Sequence, residues 1–279
     1  MRLRFPMLIV FLLAVFSAKS QYYYKDILLT RQNQENWKSF RDLKVKQADI
    51  QSLDANNEPT AGFSCTQTFS ADYSIITTYT KSSNTAASSL ITYYDLNGRL
   101  IRTTDTSDTF KSTTDYMYNE NGQLTSLLNN SIETDNQVGA IEKHLWIYEG
   151  NQLKKMIKIK GETDTTVVNL VKDERGNIIE EKSVRYGQSL PSIYYYYDNE
   201  GRLTDIVRYN QKAGRLLPDY VFEYISDRIS SMLFVPAGST DYQKWSYQYA
   251  VNGLKASETC YDKKKQLVVT INYNYRFMK

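Results

Sequence analysis

The sequence predicts an all-β fold: an antiparallel meander of repeated β-hairpins, forming a twisted or curled sheet, with one short N-terminal helix. Three observations carry this expectation. Tyrosine is unusually common, 24 residues in a chain of 279, and a flat ring with a polar tip suits a half-buried pleated surface. Pairs of alternating aromatics recur just before a glycine turn, as in Tyr116 and Tyr118 before Asn121-Gly122 and Tyr195 and Tyr197 before Glu200-Gly201. The aliphatic residue that follows the turn then recurs with a nearly constant period. Leu100, Leu124, Leu153, Ile178, Leu203, Ile229 and Leu254 are separated by 24, 29, 25, 25, 26 and 25 residues, the mark of a repeat array.

In chain order, residues 1–20 read as a cleaved secretory signal. Arg2 and Arg4 precede the apolar run Met7–Phe16, and Ala18-Lys19-Ser20 places small residues at −3 and −1 of a cleavage site before Gln21. Ten apolar residues are too few to span a bilayer as a helix. Cleavage removes Arg2, Arg4 and Lys19 and no acid, leaving 31 basic against 31 acidic residues. A balance of this kind gives no electrostatic reason to expect nucleic acid or an anionic membrane as partner. Mean hydropathy of −0.53 argues against further membrane helices.

Residues 21–62 form a non-repeating N-terminal segment. Within it Trp37, Phe40 and Leu43, spaced by three, make one apolar stripe over 32–46, predicting a short helix that packs over an end of the sheet. The β-hairpin repeat domain spans 63–279, its units clear from about residue 90. Each unit is two strands joined by a turn such as Asn97-Gly98 or Asn252-Gly253, read as a type I′ hairpin. The fourth unit, around Ile178, has lost both aromatics. The expected array holds fourteen to sixteen strands, in roughly the proportion of two per unit.

The pattern Tyr-x-Tyr-Asp-x-x-Gly-Arg-Leu, best developed at 93–100 and 195–203, resembles the YD repeat of Rhs and teneurin-type proteins. It is similar above all to short exported YD-repeat proteins of Bacteroidetes. In large Rhs proteins such repeats build a shell around a toxin. Some seven units are too few for that shell, and no toxin-like domain follows, so the resemblance implies a repeat class and no activity.

Candidate chemistry is sparse. His144 is the single histidine, and it stands without a nucleophile motif; it reads as an ordinary strand residue. Recurrent turn acids (Asp95, Glu120, Asp173, Asp198, Glu200, Asp262) read as turn caps. The basic strand Lys154–Lys160 reads as a solvated face. No catalytic residue, metal ligand or cofactor is expected. Cys65 and Cys260, the only cysteines, are a possible disulfide in an exported chain. The aromatic stripe offers binding candidates in Tyr194, Tyr196, Trp146 and Tyr148. Together these point to an exported, non-enzymatic repeat protein of the periplasm or cell surface, acting as an interaction scaffold toward a protein or glycan of the envelope, without stable membrane insertion. The alternatives are a glycan-binding module stacking sugars on aligned rings and, less favoured, an outer-membrane β-barrel suggested by the alternating aromatic terminus 271–277.

Overall fold

Gly98 has φ +74°, whereas Asn97 beside it stays on the ordinary side of the φ axis. The Gly98 N–H donates to the Asp95 carbonyl, and the Asp95 N–H to the Arg99 carbonyl. The hairpin is therefore a type I turn followed by a left-handed glycine bulge, not the type I′ turn that Asn-Gly suggests. This geometry explains the acid. The Asp95 carboxylate accepts the N–H groups of Asn97 and Arg99, both at 2.9 Å, and Asp198 does the same for Glu200 and Arg202. At 262–266 the same turn places Lys265 in the glycine position, at φ +61°.

The computed structural model describes residues 21–83, 85–236 and 239–279; the expected signal, 1–20, lies outside them. The strands are β1 (Val45–Leu53), β2 (Ser64–Phe69), β3 (Ile75–Lys81), β4 (Ser88–Tyr94), β5 (Leu100–Ser107), β6 (Phe110–Tyr118), β7 (Leu124–Glu133), β8 (Gly139–Glu149), β9 (Gln152–Lys160) and β10 (Asp164–Lys172). They continue as β11 (Ile178–Arg185), the two-residue β12 (Gln188–Ser189), β13 (Ile193–Tyr197), β14 (Leu203–Asn210), β15 (Arg215–Ile225), β16 (Arg228–Phe234), β17 (Gln243–Tyr249), β18 (Lys255–Asp262) and β19 (Leu267–Phe277). Each pairs antiparallel with its sequence neighbours, β13 reaching past β12 to β11. Because β1 pairs with both β2 and β19, the sheet closes on itself. Apart from β12, the strands form a single eighteen-strand barrel. The all-β antiparallel fold is as the repeats predict; the curl is complete, and the wall strands number more than the fourteen to sixteen expected.

Each repeat carries one bulge, and in five of the seven it sets the second aromatic against the post-turn aliphatic: Tyr94 opposite Leu100, Tyr118 opposite Leu124, Tyr148 opposite Leu153, Tyr197 opposite Leu203 and Tyr224 opposite Ile229. The fourth has Lys172 opposite Ile178 and the seventh Tyr249 opposite Lys255. The second aromatic then reaches the unit before its own. The hydroxyl of Tyr118 donates to the Leu100 carbonyl at 2.8 Å, Tyr148 to Leu124, Tyr197 to Ile178, Tyr224 to Leu203 and Tyr249 to Ile229. The arginine ahead of the aliphatic lies over the same ring in three of these units, Arg99 on Tyr118, Arg202 on Tyr224 and Arg228 on Tyr249.

The helix runs inside the wall. A π-helical stretch, Tyr23–Leu28, leads into α1, Leu29–Asp42. Trp37, Phe40 and Leu43 form the expected stripe, but they pack on inward residues of the wall, among them Phe69, Ile76, Tyr94 and Leu100. At the other end Tyr23, Tyr24 and Leu28 pack on Ile178, Tyr195, Ile206 and Phe222. The helix thus crosses the lumen beneath the end that bears the tight turns, where Gln34 donates to the Asn97 carbonyl at 3.0 Å. The sequence reading set the helix over an open sheet end; closure leaves no such end to cover.

Gly98 and Gly201 separate two effects in one comparison. A Cβ at Gly98 would lie 2.1 Å from Trp37 Cε3, while one at Gly201, φ +78°, meets nothing within 4 Å. Both substitutions to alanine cost about 1 kcal/mol for the left-handed backbone. Gly98→Ala adds an overpacking cost of about 1–3 kcal/mol. Denaturant unfolding of Gly98→Ala and Gly201→Ala side by side should therefore show the first as clearly the less stable, and equal losses would mean that Trp37 does not hold the turn.

Candidate functional site: the helix-filled lumen

Alternation along the strands decides which side chains meet the helix. In β8 the buried His144 and Trp146 point inward, and in β9 and β10 Met156 and Val168 do. The helix brings Asp26 to this wall. One oxygen of its carboxylate lies 2.6 Å from His144 Nδ1 and accepts the Trp146 Nε1–H at 3.1 Å. On the far side of the imidazole, His144 Nε2 lies 3.0 Å from Glu142, whose other oxygen meets Lys158 Nζ at 2.8 Å. Tyr22 stands edge-on to the imidazole, ring centroids 5.2 Å apart.

This arrangement fixes the charges. Burial alone would lower the His144 pKa, but the Asp26 carboxylate and then Glu142 outweigh it and raise it to about 9. His144 is therefore an imidazolium at neutral pH, with both N–H groups donating. Glu142 is held at about 2: burial pushes it up, and the hydrogen bonds from His144 and Lys158 more than reverse that.

Two further carboxylates receive the beginning of the helix. Glu181, fully buried on β11, accepts the backbone N–H groups of Tyr22 at 3.2 Å and Tyr23 at 2.6 Å, and the Tyr195 hydroxyl at 2.5 Å. These satisfy N–H groups that a helix start leaves without partners. Asp219 accepts from Gln21 Nε2 and from Arg208 Nε, the latter at 2.7 Å. Burial is the largest effect on both acids and raises each. Aromatic contacts complete the seat: Tyr23 lies edge-on to Tyr195 at 5.6 Å, and Tyr24 packs against Tyr220 and Phe222.

The four aromatic candidates do not come together. Trp146 and Tyr148 face the lumen, committed to Asp26 and the Leu124 carbonyl. Tyr194 and Tyr196 are on the outer face, Tyr196 half exposed. The stripe is mostly an internal ladder, which removes the basis of the glycan-stacking alternative. The interaction-scaffold reading is likewise corrected, since the repeats close into an eighteen-strand barrel filled by the chain's own helix. The wall is closed, and most of the rings are turned inside.

The basic strand also divides. Lys158 points inward to Glu142, and Lys155 lies on the outer set. Cys65 and Cys260 are free and buried in one apolar cluster. They sit on β2 and β18 with β1 and β19 between them, three strand spacings or about 14 Å along the wall, well beyond disulfide reach. Burial raises both thiols, Cys260 to about 12.

Sequence reasoning took His144 for an ordinary strand residue and passed over Asp26, Glu181 and Asp219. The partners are 118 residues apart for His144 and Asp26, and 198 for Gln21 and Asp219. The usable signal was local: a single histidine flanked at alternating positions by Glu142 and Trp146, all on one face of a strand.

The histidine gives a pH test. A pKa raised from 6.5 to about 9 contributes stability that is complete below pH 6.5 and is lost as pH rises through 9. The contribution is about 3 kcal/mol. Thermal unfolding should show stability falling between pH 6.5 and 9.5, and His144→Gln should flatten that fall. The imidazole of this single histidine should titrate near 9 by NMR; a midpoint near 6.5 would refute the charged pair.

No family model matches the chain, and no curated protein does. Among solved structures it is similar to a porin-like protein from Bacteroides uniformis, with 11% identity over 83% of this chain and 98% of that one and a TM-score of 0.42. A protein of unknown function of the DUF3598 family from Nostoc punctiforme matches at 9% identity over 87% and 98%, with a TM-score of 0.19. Neither likeness is close enough for its description to bear on what this chain does.

Proposed function

We propose that the chain is a β-barrel of the cell envelope that lies with one side of its wall against a membrane surface, its lumen occupied by its own helix. The observation that carries this reading is a one-sided outer face. Leu145, Ile157, Val167 and Val184 pair in one outward row across β8 to β11. Ile159 lies on one side of that row, Ile147 and Val171 on the other, and the lysines Lys143, Lys155 and Lys182 stand among them, Lys182 3.3 Å from Glu180, the acid opposite Val171. Apolar side chains rimmed by lysine suit an interface rich in anionic headgroups.

The opposite wall differs. Its outward residues include Gln51, Asn272, Ser257 and Gln248, which pair in one row across β1, β19, β18 and β17. A barrel that crosses a bilayer needs an apolar belt around its whole circuit. This wall has one over a fraction of it, which favours side-on contact. The interior differs from that of a channel, being filled by the helix and by buried Trp146, Tyr195 and Phe222.

Vesicle flotation tests the proposal. The protein should float with vesicles containing phosphatidylglycerol and less well with purely zwitterionic ones. Changing Lys143, Lys155 and Lys182 to glutamine should weaken binding roughly a hundredfold, at about 1 kcal/mol per lysine. Ile157→Ser should weaken it further without unfolding the barrel, since the side chain is outward. Full recovery in the detergent-free soluble fraction, with no flotation on either vesicle, would overturn the reading.

A further inference from the structure

Gln21 is the point at which the chain enters the lumen, and three of its features are odd for a residue in mid-chain. Its side chain is buried, the residue 2% exposed. Its Oε1 is the one buried side-chain oxygen or nitrogen among the described residues that lacks a hydrogen-bond partner. Its φ is +75°, a left-handed conformation that a residue with a Cβ seldom adopts. Around it stand Asp219, bonded to its Nε2, and Glu181, bonded to the next backbone N–H.

We infer that Gln21 is a processing site, and that the α-ammonium freed there is the group that seats the helix in the lumen. The inference rests on the export reading of residues 1–20 and is independent of the membrane proposal. Chemically the step is hydrolysis. Water adds across the Ser20–Gln21 amide, the C–N bond breaks, Ser20 departs with water's oxygen in its new carboxylate, and the Gln21 nitrogen takes both of water's protons to become an ammonium. Each oddity is then accounted for. The torsion φ is measured from the preceding carbonyl carbon, so cleavage abolishes the strained angle. An ammonium with three N–H groups supplies donors next to an orphaned Oε1. A positive charge arrives beside two buried carboxylates, Asp219 and Glu181, the latter accepting two backbone N–H groups and a tyrosine hydroxyl.

Lys25 and Arg208 also bear on these acids. The new charge therefore adds to a seat that is already partly compensated, and the expected gain is correspondingly moderate.

The test has two arms. The protein purified from the envelope of cells expressing the full chain should have an intact mass beginning at Gln21. Compared with that form, a chain retaining Ala18-Lys19-Ser20 should unfold at a temperature lower by roughly 2–6 °C, and Asp219→Asn should shrink the difference between the two. An N-terminus at another residue would overturn the inference. So would an N-terminal lactam, lighter by one ammonia and uncharged, or equal unfolding temperatures for the cut and extended forms. Should the extended chain fail to fold, the cut form acetylated at its N-terminus, which loses the charge and gains no residue, takes its place: it should unfold at a lower temperature than the free form, and equal temperatures would overturn the inference.

Discussion

A closed wall of eighteen strands encloses more space than its own side chains can fill. Small barrels of eight strands pack their interiors with side chains alone, whereas walls of this size leave a channel unless something enters it. Here the entering element is the chain's own helix, and much else follows from that. The helix brings apolar rings, which meet Ile178, Ile206 and Phe222. It also brings polar groups that the lumen must satisfy: the first backbone N–H groups, the Asp26 carboxylate and the Gln21 amide. Glu181, His144 with Trp146, and Asp219 answer them in turn. Buried charge is tolerable only with partners of this sort, so the ionised groups gather where the helix begins and the rest of its seat is apolar.

The wall has its own logic, and it is one of overlap. A hairpin of the repeat is not complete in itself. The hydroxyl of its second tyrosine closes on a carbonyl of the unit before, and in three units the preceding unit's arginine covers the ring. Each unit therefore contributes to the stability of its neighbour as well as its own, as in other repeat arrays where the interfaces carry much of the energy. The Tyr-x-Tyr-Asp-x-x-Gly-Arg-Leu pattern reads accordingly: the tyrosine for the neighbour's carbonyl, the aspartate for two turn N–H groups, the glycine for the bulge, the leucine for the lumen.

Hairpins and their inward aliphatics were legible because they depend on short-range chemistry. Gly98 and Gly201 mark turns wherever they occur, and Leu100, Leu124 and Leu203 recur at a period that any window reveals. The turn type was misread because Asn-Gly satisfies two geometries, and only the backbone distinguishes them. Closure was not legible, since alternation states that Tyr195 and Tyr196 face opposite sides without stating which side is enclosed. The helix was half legible. Trp37, Phe40 and Leu43 make a stripe, but Tyr22, Tyr23 and Tyr24 are three rings in a row, a pattern with no preferred face until a lumen surrounds it. The ionised seat was the least legible, because its members meet only after the wall has closed.

The seam between β1 and β19 joins residues as far apart as Asp49 and Arg276, 227 positions in sequence, at 2.7 Å. The remaining wall contacts are mostly between consecutive strands and can form as soon as each hairpin is made. The seam cannot. Until β19 exists, β1 and the growing end of the meander are two unpaired edges, the form of sheet most prone to join another copy. Loop closure over such a distance is slow compared with hairpin formation. The molecule thus passes through a stage in which nearly every local bond is made while its two edges remain adhesive. How long that stage lasts is set by the search of one strand for another, and not by the stability of the finished barrel.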